Sequence, residues 1–318
     1  MTPPEVSIIV CTWNRAAMLR GLLGHFLQLQ APSSIRWELL VVDNNSNDDT
    51  SIVAREFTER LPLRYIVESQ QGLSRARNRG IAEARGQLLL FTDDDVMVEP
   101  GWLAAMYEAS QRHPRAGVLG GPVTPRFESP PDADIAAAYP VVAAGLCGVD
   151  YGVAERRLDF SEYVVGANFA VRREAVDGLL FDVALGSQGA VPAGGEEVKL
   201  QNTIRRRGWD VVWVPGMRVQ HHVASQRLTV SYLRGFVYHR SRSSVRVSPL
   251  PGGPTILGVP RWLLVHYVRM AYRLWRSRWL PTRAARLKAL HDFDRARGLL
   301  RGSFDEFRLE RQGSREGE

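Results

Sequence analysis

The chain has 318 residues, a net charge of +7 and two cysteines, Cys11 and Cys147. Two cysteines argue against a disulfide framework and against a cysteine-based metal site. The sequence has no run of 18 apolar residues and no basic segment followed by an apolar one near residue 1. We therefore expect no transmembrane helix, no signal peptide and a cytoplasmic location.

Short apolar runs alternate with helical patterns in the amino-terminal part of the chain. The runs predict strands at 6–11, 37–42, 63–67 and 88–91, and the patterns between them predict helices at 19–27, 52–60 and 75–84. Continuous apolar runs are typical of strands buried on both faces. Their alternation with helices predicts an α/β domain with a mostly parallel central sheet and helices on both faces. Asn14 is the predicted N-cap of the first helix.

Three carboxylates, Asp93, Asp94 and Asp95, directly follow the fourth strand. Open α/β sheets bind ligands at this end of their strands. Two unit charges about 4 Å apart repel by about 4 kcal/mol at an effective dielectric near 20, so we expect a cation to offset them. Mg²⁺ or Mn²⁺ suits such carboxylates. Asp93 and Asp95 should point to the same side of an extended segment, although a solvated acidic turn that caps a helix is the alternative.

Polar residues also end the first two strands, namely Thr12, Asn14 and Arg15 and then Asp43. Because parallel strands end at the same edge of a sheet, these residues and the aspartates should form one crevice. The chain contains neither the Gly-x-Gly-x-x-Gly fingerprint nor a P-loop. Phosphate groups would therefore be bound by a metal and by arginines such as Arg77.

Four segments resemble, in order and spacing, the signatures of glycosyltransferase family 2. They are VSIIVCTWNR at 6–15, VVDNNS at 41–46, GLSRARNRG at 72–80 and FTDDD at 91–95. The resemblance covers about residues 5 to 240. It implies the GT-A fold and the transfer of a sugar, with inversion, from a nucleoside diphosphate donor.

The resemblance also implies roles for the residues of these segments. Thr12, Asn14, Arg15 and Asp43 would line the nucleoside pocket, where Asp43 would accept a hydrogen bond from a base N–H. Arg77 would face the base or the diphosphate.

Within the acidic group, Asp93 and Asp95 would be the DxD pair. Asp93 would hold ribose or the donor sugar, Asp95 would bind the metal, and Asp94 would belong to the donor-binding group.

The middle of the chain should face the acceptor. Residues 126–160 lack a clear period and predict a long loop, which is either a flap over the acceptor or a surface insertion. A strand predicted at 163–173 contains Gly166 and Asn168, which the resemblance puts beside the donor sugar. A bulge is the structural alternative for these two residues.

Glu196 and Glu197 begin a helix that should end at Gly208, and two acids suit the amino-terminal end of a helix dipole. The family usually has Glu-Asp here, with one acid as catalytic base, so Glu-Glu is a departure. Alignment of the dipeptide favours Glu197 as the base, with Glu196 helping to position the acceptor. Which acid acts stays open.

His221 and His222 lie on the second of two strands predicted at 209–214 and 217–223. Neighbouring residues on a strand point to opposite faces, so only one of the two can face the site. The resemblance implies a metal-binding histidine in this position, and its spacing favours His221 over His222.

The last 64 residues hold 14 Arg or Lys and 7 Asp or Glu, a surplus equal to the whole net charge. Helices are predicted at 261–279 and 283–300. A basic helix rich in aromatic residues is typical of an interfacial membrane element, and equally of a hairpin packed on the catalytic domain. We favour peripheral contact of residues 260–300 with the inner face of a membrane. No nucleic-acid-binding module is recognised.

Together with these patterns, the resemblance implies a GT-A domain over 1–250, with a nucleotide-binding half (1–115) and an acceptor-side half (116–250). A basic helical extension (255–308) and a disordered tail (309–318) would follow.

The resemblance thus implies a metal-dependent inverting glycosyltransferase that acts on the hydroxyl of a glycan or glycolipid acceptor in polysaccharide or glycolipid assembly. The alternative is a catalytically silent nucleotide-sugar-binding subunit of a membrane-associated polysaccharide assembly, which would not need the carboxylates that this chain has. A nucleotidyltransferase would need a glycine-rich amino-terminal loop, which is absent.

Overall fold

The computed structural model describes residues 3–186, 194–248, 250–280 and 282–316. Its strands are β1 (Val6–Thr12), β2 (Trp37–Asp43), β3 (Leu63–Val67), β4 (Leu88–Asp93), β5 (Val96–Val98), β6 (Ala116–Gly120), β7 (Val123–Phe127), β8 (Arg156–Arg157), β9 (Asn168–Arg172), β10 (Asp210–Trp213), β11 (Val219–Val223), β12 (Thr255–Ile256) and β13 (Val259–Pro260). Its α-helices are α1 (Ala16–Phe26), α2 (Thr50–Glu56), α3 (Leu73–Glu83), α4 (Trp102–Arg112), α5 (Ala133–Ala137), α6 (Tyr139–Val142), α7 (Arg173–Val176), α8 (Glu196–Arg206), α9 (Val230–Val247), α10 (Arg261–Arg276) and α11 (Arg283–Glu316).

Among the described residues, the main sheet has eight strands in the order β3-β2-β1-β4-β9-β6-β10-β8. Strands β3, β2, β1 and β4 pair in parallel, as do β6 and β10. Strand β9 runs antiparallel to both of its neighbours, and β8 runs antiparallel to β10. The predicted α/β architecture with a mostly parallel sheet is confirmed.

Both faces of this sheet are covered by helices. Ile8 and Val10 of β1 pack on one face in a cluster with residues of α1 and α4, whereas Ile9 packs on the other face with residues of α3 and α8. Side chains alternate between faces along a strand, so a strand covered on both sides needs apolar residues at every position. This requirement explains the continuous apolar run of β1.

The chain divides into two compact units. One comprises Met1–Arg126, Cys147–Gly189 and Glu196–His222, and the other comprises Phe127–Leu146, Ala190–Gly195 and Val223–Glu318. The boundary near residue 222 precedes the predicted one at 250, because helix α9, which the sequence analysis did not predict, packs along α11 in the second unit.

Helix α11 extends to Glu316, beyond its predicted end at 300 and through most of the tail predicted as disordered at 309–318. Ion pairs to α9 support it along its length, including Arg234 to Asp294 at 2.7 Å and Arg242 to Asp305 at 2.6 Å. Residues 317 and 318 lie outside the described residues. Within the described segments, no helix combines the length and the apolarity that a membrane span requires.

The long loop predicted at 126–160 is wrong, because the segment contains α5, α6 and the short strand β8. The Asp132 carboxylate caps α5 by accepting a hydrogen bond from the Ile135 amide at 2.8 Å. Ile135 and Leu146 are buried in an apolar cluster of the second unit. Helices of four or five residues are too short to show a helical period in the sequence.

The strand predicted at 163–173 begins only at Asn168. The backbone of Val164 bonds instead to the buried Gln201 side chain, which accepts from the Val164 amide at 3.0 Å and donates to its carbonyl at 2.8 Å. A side chain of α8 thus takes the place of a neighbouring strand.

Candidate active site

The polar strand ends meet at one edge of the main sheet. Thr12 at the end of β1 is paired with Asp43 at the end of β2, and Cys11 is paired with Asp93 at the end of β4. Parallel strands bring their carboxyl ends together. The structure therefore contains the crevice edge that the strand order predicted.

Asp94 is the carboxylate that turns into the protein. It is buried and accepts hydrogen bonds from Thr12 Oγ1 and from Arg15 Nη1, each at 2.8 Å. The same Arg15 nitrogen lies 3.0 Å from Asp95 Oδ2. Burial raises the pKa of Asp94 to about 6, against the lowering effect of Arg15 and with a contribution from Asp95. Asp94 fixes the turn from inside, so a solvated acidic turn does not describe this segment.

A second, three-stranded sheet of β5, β11 and β7 positions His221 next to the aspartates. Strand β11 pairs antiparallel with β5, which places His221 opposite Val96, and the His222 amide donates to the Asp95 carbonyl at 2.9 Å. His221 Nδ1 lies 2.9 Å from the His222 carbonyl oxygen. A carbonyl can only accept, so Nδ1 carries the hydrogen of this bond. His221 Nε2 faces the carboxylates, at 3.3 Å from Asp95 Oδ1 and 4.0 Å from Asp93 Oδ2.

Asp93, Asp95 and His221 form a set of residues that could hold a divalent cation. One ligand atom from each lies within 4.8 Å of the others. Adjacent ligands of an octahedral Mg²⁺ at 2.0–2.1 Å are about 3 Å apart, close to the 3.3 Å between His221 Nε2 and Asp95 Oδ1. Two carboxylate oxygens and an imidazole nitrogen suit Mn²⁺ and are acceptable to Mg²⁺.

The charge state of His221 agrees with this arrangement. Burial lowers the pKa of His221, but the Asp95 carboxylate, with Cys147 and Asp93, raises it to about 10. The facing carboxylates therefore favour a positive charge at this point. A proton on Nε2 supplies that charge in the absence of a metal, and a neutral imidazole is the form that binds one.

Arg77 connects the acidic turn to the acid pair of α8. Its buried guanidinium places Nη1 2.7 Å from Glu196 Oε1 and Nη2 3.4 Å from Asp93 Oδ1. Burial would lower the pKa of Arg77, but Glu196 and Asp93 raise it. The Gly166 carbonyl accepts from Nη2 at 3.3 Å. A Cβ at position 166 would lie 2.5 Å from that nitrogen, so glycine leaves the room that Arg77 occupies.

Both acids in the first turn of α8 are buried. Burial raises the pKa of Glu196 to about 7, the adjacent Glu197 carboxylate adds to the rise, and Arg77 opposes it. Glu196 Oε2 is buried and has no hydrogen-bond partner among the described residues. The first turn of α8 thus presents an acid pair at the sheet edge that holds the aspartates, with one acid fixed by Arg77.

Asp43 ends β2, which lies beside β1 on the side opposite to β4 and its aspartates. It is buried and accepts hydrogen bonds from the Ser46 amide at 2.9 Å and from the Tyr65 hydroxyl. Sequence reasoning missed Tyr65. The strand pattern predicted β3 but carried no signal that Tyr65 would reach the carboxylate at the end of the neighbouring strand β2.

Asn14 has a left-handed backbone, with φ of 52°, and its side chain accepts from the Asn47 amide at 2.8 Å. It does not cap α1, so that prediction is wrong. The cap comes from the next loop, where Asp48 accepts from the Ala16 amide at 3.0 Å. Asn14 therefore joins the loops that follow β1 and β2.

The structure does not bring the Asn168 side chain into this group. It is fully buried, accepts from Trp102 Nε1 at 2.8 Å, and donates to the carbonyls of Pro122 at 3.1 Å and Met217 at 2.6 Å. These bonds use its acceptor and both donor hydrogens. Asn168 ties β9 to the segments around it. Every other residue predicted for the site lies at or beside the sheet edge described above.

The amino-acid sequence is similar to those of known glycosyltransferases. Residues 7–141 match the family model described as glycosyl transferase family 2. The glycosyltransferase AglE of Haloferax volcanii is 38% identical over 104 residues, which cover 32% of this chain and 34% of AglE. The succinoglycan biosynthesis protein ExoM of Rhizobium meliloti is 26% identical over 242 residues, which cover 72% of this chain and 70% of ExoM.

Among solved structures, the chain resembles the mannosyltransferase PcManGT from Pyrobaculum calidifontis, determined with GDP-Man and Mn²⁺. The TM-score is 0.61 at 17% identity, and the match covers 94% of this chain and 88% of PcManGT. At that identity the likeness concerns the fold. The match to AglE spans only about a third of that relative.

Proposed function

Because residues 7–141 match the model of glycosyl transferase family 2 and the chain has the GT-A fold, we propose that it belongs to that family and transfers a sugar from a nucleoside diphosphate donor to an acceptor hydroxyl. The proposal rests above all on one arrangement. Asp93, Asp95 and His221 converge, and a single buried guanidinium, that of Arg77, joins them to the acid pair of α8. A silent binding subunit has no need of this set of carboxylates.

The donor would bind at the ends of β1, β2 and β4. Thr12, Asn14 and Asp43 would line the nucleoside pocket, and Arg15 would hold Asp94 and Asp95 in place. Arg77 would act mainly through its ion pairs, because its guanidinium already binds Glu196 and Asp93. Only the edge of the guanidinium would face the donor.

Asp93, Asp95 and His221 would hold Mn²⁺ or Mg²⁺. Such an ion, when bound, neutralises the diphosphate and stabilises the departing nucleotide. The relative PcManGT was determined with Mn²⁺ and GDP-Man, which supports a metal and a nucleotide sugar for this chain. The protein residues set where the diphosphate lies, and Arg15 and Arg77 limit the repulsion among the carboxylates.

Glu197 would act as the general base. It would take the proton from the acceptor hydroxyl while the acceptor oxygen forms a bond to the anomeric carbon and the bond from that carbon to the diphosphate breaks. Attack from the face opposite the leaving group inverts the anomeric centre. Glu196 is the less suitable base because one of its oxygens is held by Arg77 at 2.7 Å. We therefore assign it the positioning of the acceptor and of Arg77.

The acceptor would be a glycan or glycolipid in polysaccharide assembly. The likeness to ExoM, a succinoglycan biosynthesis protein, supports this class of acceptor. Residues 260–300 would make peripheral contact with the inner face of a membrane, because α10 is basic and rich in aromatic residues.

The test is a panel of nucleotide sugars, each titrated calorimetrically with Mn²⁺ or Mg²⁺ and then assayed for hydrolysis and transfer. We expect one donor class to bind in a metal-dependent manner, with hydrolysis that Glu197→Gln abolishes while donor binding persists. If no nucleotide sugar binds with either metal, the proposed function is wrong.

A further inference from the structure

Helix α10 and the turn after it expose a regular stripe of large apolar side chains. The stripe residues are Val265, Val268, Tyr272, Trp275 and Trp279, and each is between 51% and 67% exposed. Their spacing of three and four residues places them on one face of a helix. Contiguous apolar surface of this kind is uncommon on a protein that contacts only water.

The opposite face of α10 already has its partner within the second unit. Leu263 and Met270 are buried, and the Tyr267 ring packs 5.4 Å from the Phe293 ring of α11. Helix α10 therefore has apolar side chains on two faces. One face packs within the second unit, and the stripe on the other face stays exposed. The aromatic stripe residues also contact one another, with Tyr272 stacked on Trp275 at 5.8 Å and Trp275 edge-on to Trp279 at 4.7 Å.

A cavity of about 420 Å³ lies beside the stripe, between α10 and α11. Arg269, Arg273, Arg276 and Lys288 contribute to its wall, and the acid in its lining is Asp292. In the part of the chain that the structure describes, none of these four cations forms an ion pair, although other arginines of the second unit pair with acids of α11. Four unpaired cations around one cavity favour a phosphate group.

We propose that the stripe and this cavity form one docking surface for an anionic lipid bilayer. The stripe would enter the boundary between head groups and acyl chains, and the cavity would take a lipid phosphate. Tyr and Trp are enriched at that boundary, and basic residues on an amphipathic helix attract anionic lipids. The inference deepens the membrane contact proposed above and rests on it.

A second copy of the chain is a poorer occupant of the same surface. Residues 261–276 contain four arginines and no acid. Pairing two copies through the stripe would bring these arginines together without counter-charges, which is unfavourable. An anionic lipid surface supplies the missing negative charge.

The test is flotation of the full chain with vesicles of phosphatidylcholine alone or of equal parts phosphatidylcholine and phosphatidylglycerol. We expect binding to the anionic vesicles, weakened about tenfold or more by the double change Trp275→Ser and Trp279→Ser. Arg273→Glu should weaken it about thirtyfold, because two units of charge are lost near the surface. Arg60→Glu, the same change at an exposed site of the other unit, should have little effect.

Three results would overturn the proposal. They are no binding to anionic vesicles, equal binding to both kinds of vesicle, or a dimer in solution that the double tryptophan change dissociates. Circular dichroism would check that each variant is folded. Titration of the same proteins with donor would separate the docking surface from the proposed enzyme activity. A chain that floats but binds no nucleotide sugar contradicts the enzyme proposal alone, and one that binds donor but no vesicle contradicts only the docking surface.

Discussion

Removal of the Arg77 guanidinium tests whether its ion pairs with Glu196 and Asp93 stabilise the site. Arg77→Met keeps much of the side-chain volume and removes the charge. In the native protein this charge faces two carboxylates, Glu196 at 2.7 Å and Asp93 at 3.4 Å, in a position that is 3% exposed. The variant leaves the buried Glu196 without its counter-charge.

Loss of one partner from a buried ion pair costs about 3–5 kcal/mol of unfolding free energy. The cost should depend on pH. Burial already raises the pKa of Glu196 from 4.5 to about 7, and Arg77 opposes that rise. Without Arg77 the pKa is higher still, so the folded variant binds more protons than the unfolded chain between pH 4.5 and that value. Its stability therefore falls as pH rises through this range.

The assay is urea unfolding of the wild type and the variant at about pH 5.5 and about pH 8, below and above the Glu196 pKa of about 7. Arg79→Met is the matched control, since Arg79 lies on the same helix in an exposed pair with Glu83 at 2.9 Å. That pair is worth about 0.5 kcal/mol at most. Equal losses in the two variants, or a loss from Arg77→Met that shrinks at the higher pH, would refute the reasoning.

Three further predictions concern the acid pair of α8 and the buried side chain of Asn168. Glu197→Gln should lower kcat by about 10²–10⁴-fold at an unchanged donor Kd, whereas Glu196→Gln should keep measurable transfer; the reverse order would reassign the base. Burial raises the pKa of Glu196 to about 7, so the rate should rise with pH through this value as Glu196 becomes the carboxylate that holds Arg77; a rate that falls across this range would contradict this positioning role. Asn168→Ala should lower the unfolding free energy in urea by about 3 kcal/mol, because it leaves the Trp102 N–H and the Met217 carbonyl buried without their partner; an unchanged midpoint would show that water replaces the amide.

The sheet and the acidic edge could be predicted because local patterns specify them. Continuous apolar runs identify strands covered on both faces, and the order of strands brings Thr12, Asp43 and Asp93 to one edge. Alternation along β11 indicated that only one of His221 and His222 could face the site, and the family resemblance favoured His221, which is the histidine that lies with the aspartates. The strand inferences need only the period of a strand, whereas the choice of histidine needed the resemblance.

Contacts between distant segments could not be predicted in the same way. Arg75, Arg77 and Arg79 lie in one short segment, and the sequence does not reveal that Arg77 alone is fully buried. That outcome depends on Gly166, 89 residues away, whose missing side chain leaves room for the guanidinium. Asn168 was predicted beside the donor for its polarity, but its three buried hydrogen bonds serve the packing of β9.

The central claim is that Asp93, Asp95 and His221 hold a divalent cation for a nucleoside diphosphate. Paramagnetic resonance of Mn²⁺ measures this directly, because the signal of free Mn²⁺ falls on binding. We predict that the wild type takes up Mn²⁺ in the presence of UDP or GDP and that Asp95→Asn does not. Asp177→Asn, the same change at an exposed position, should bind as the wild type does. Equal uptake by all three proteins, or none by the wild type, would contradict the account.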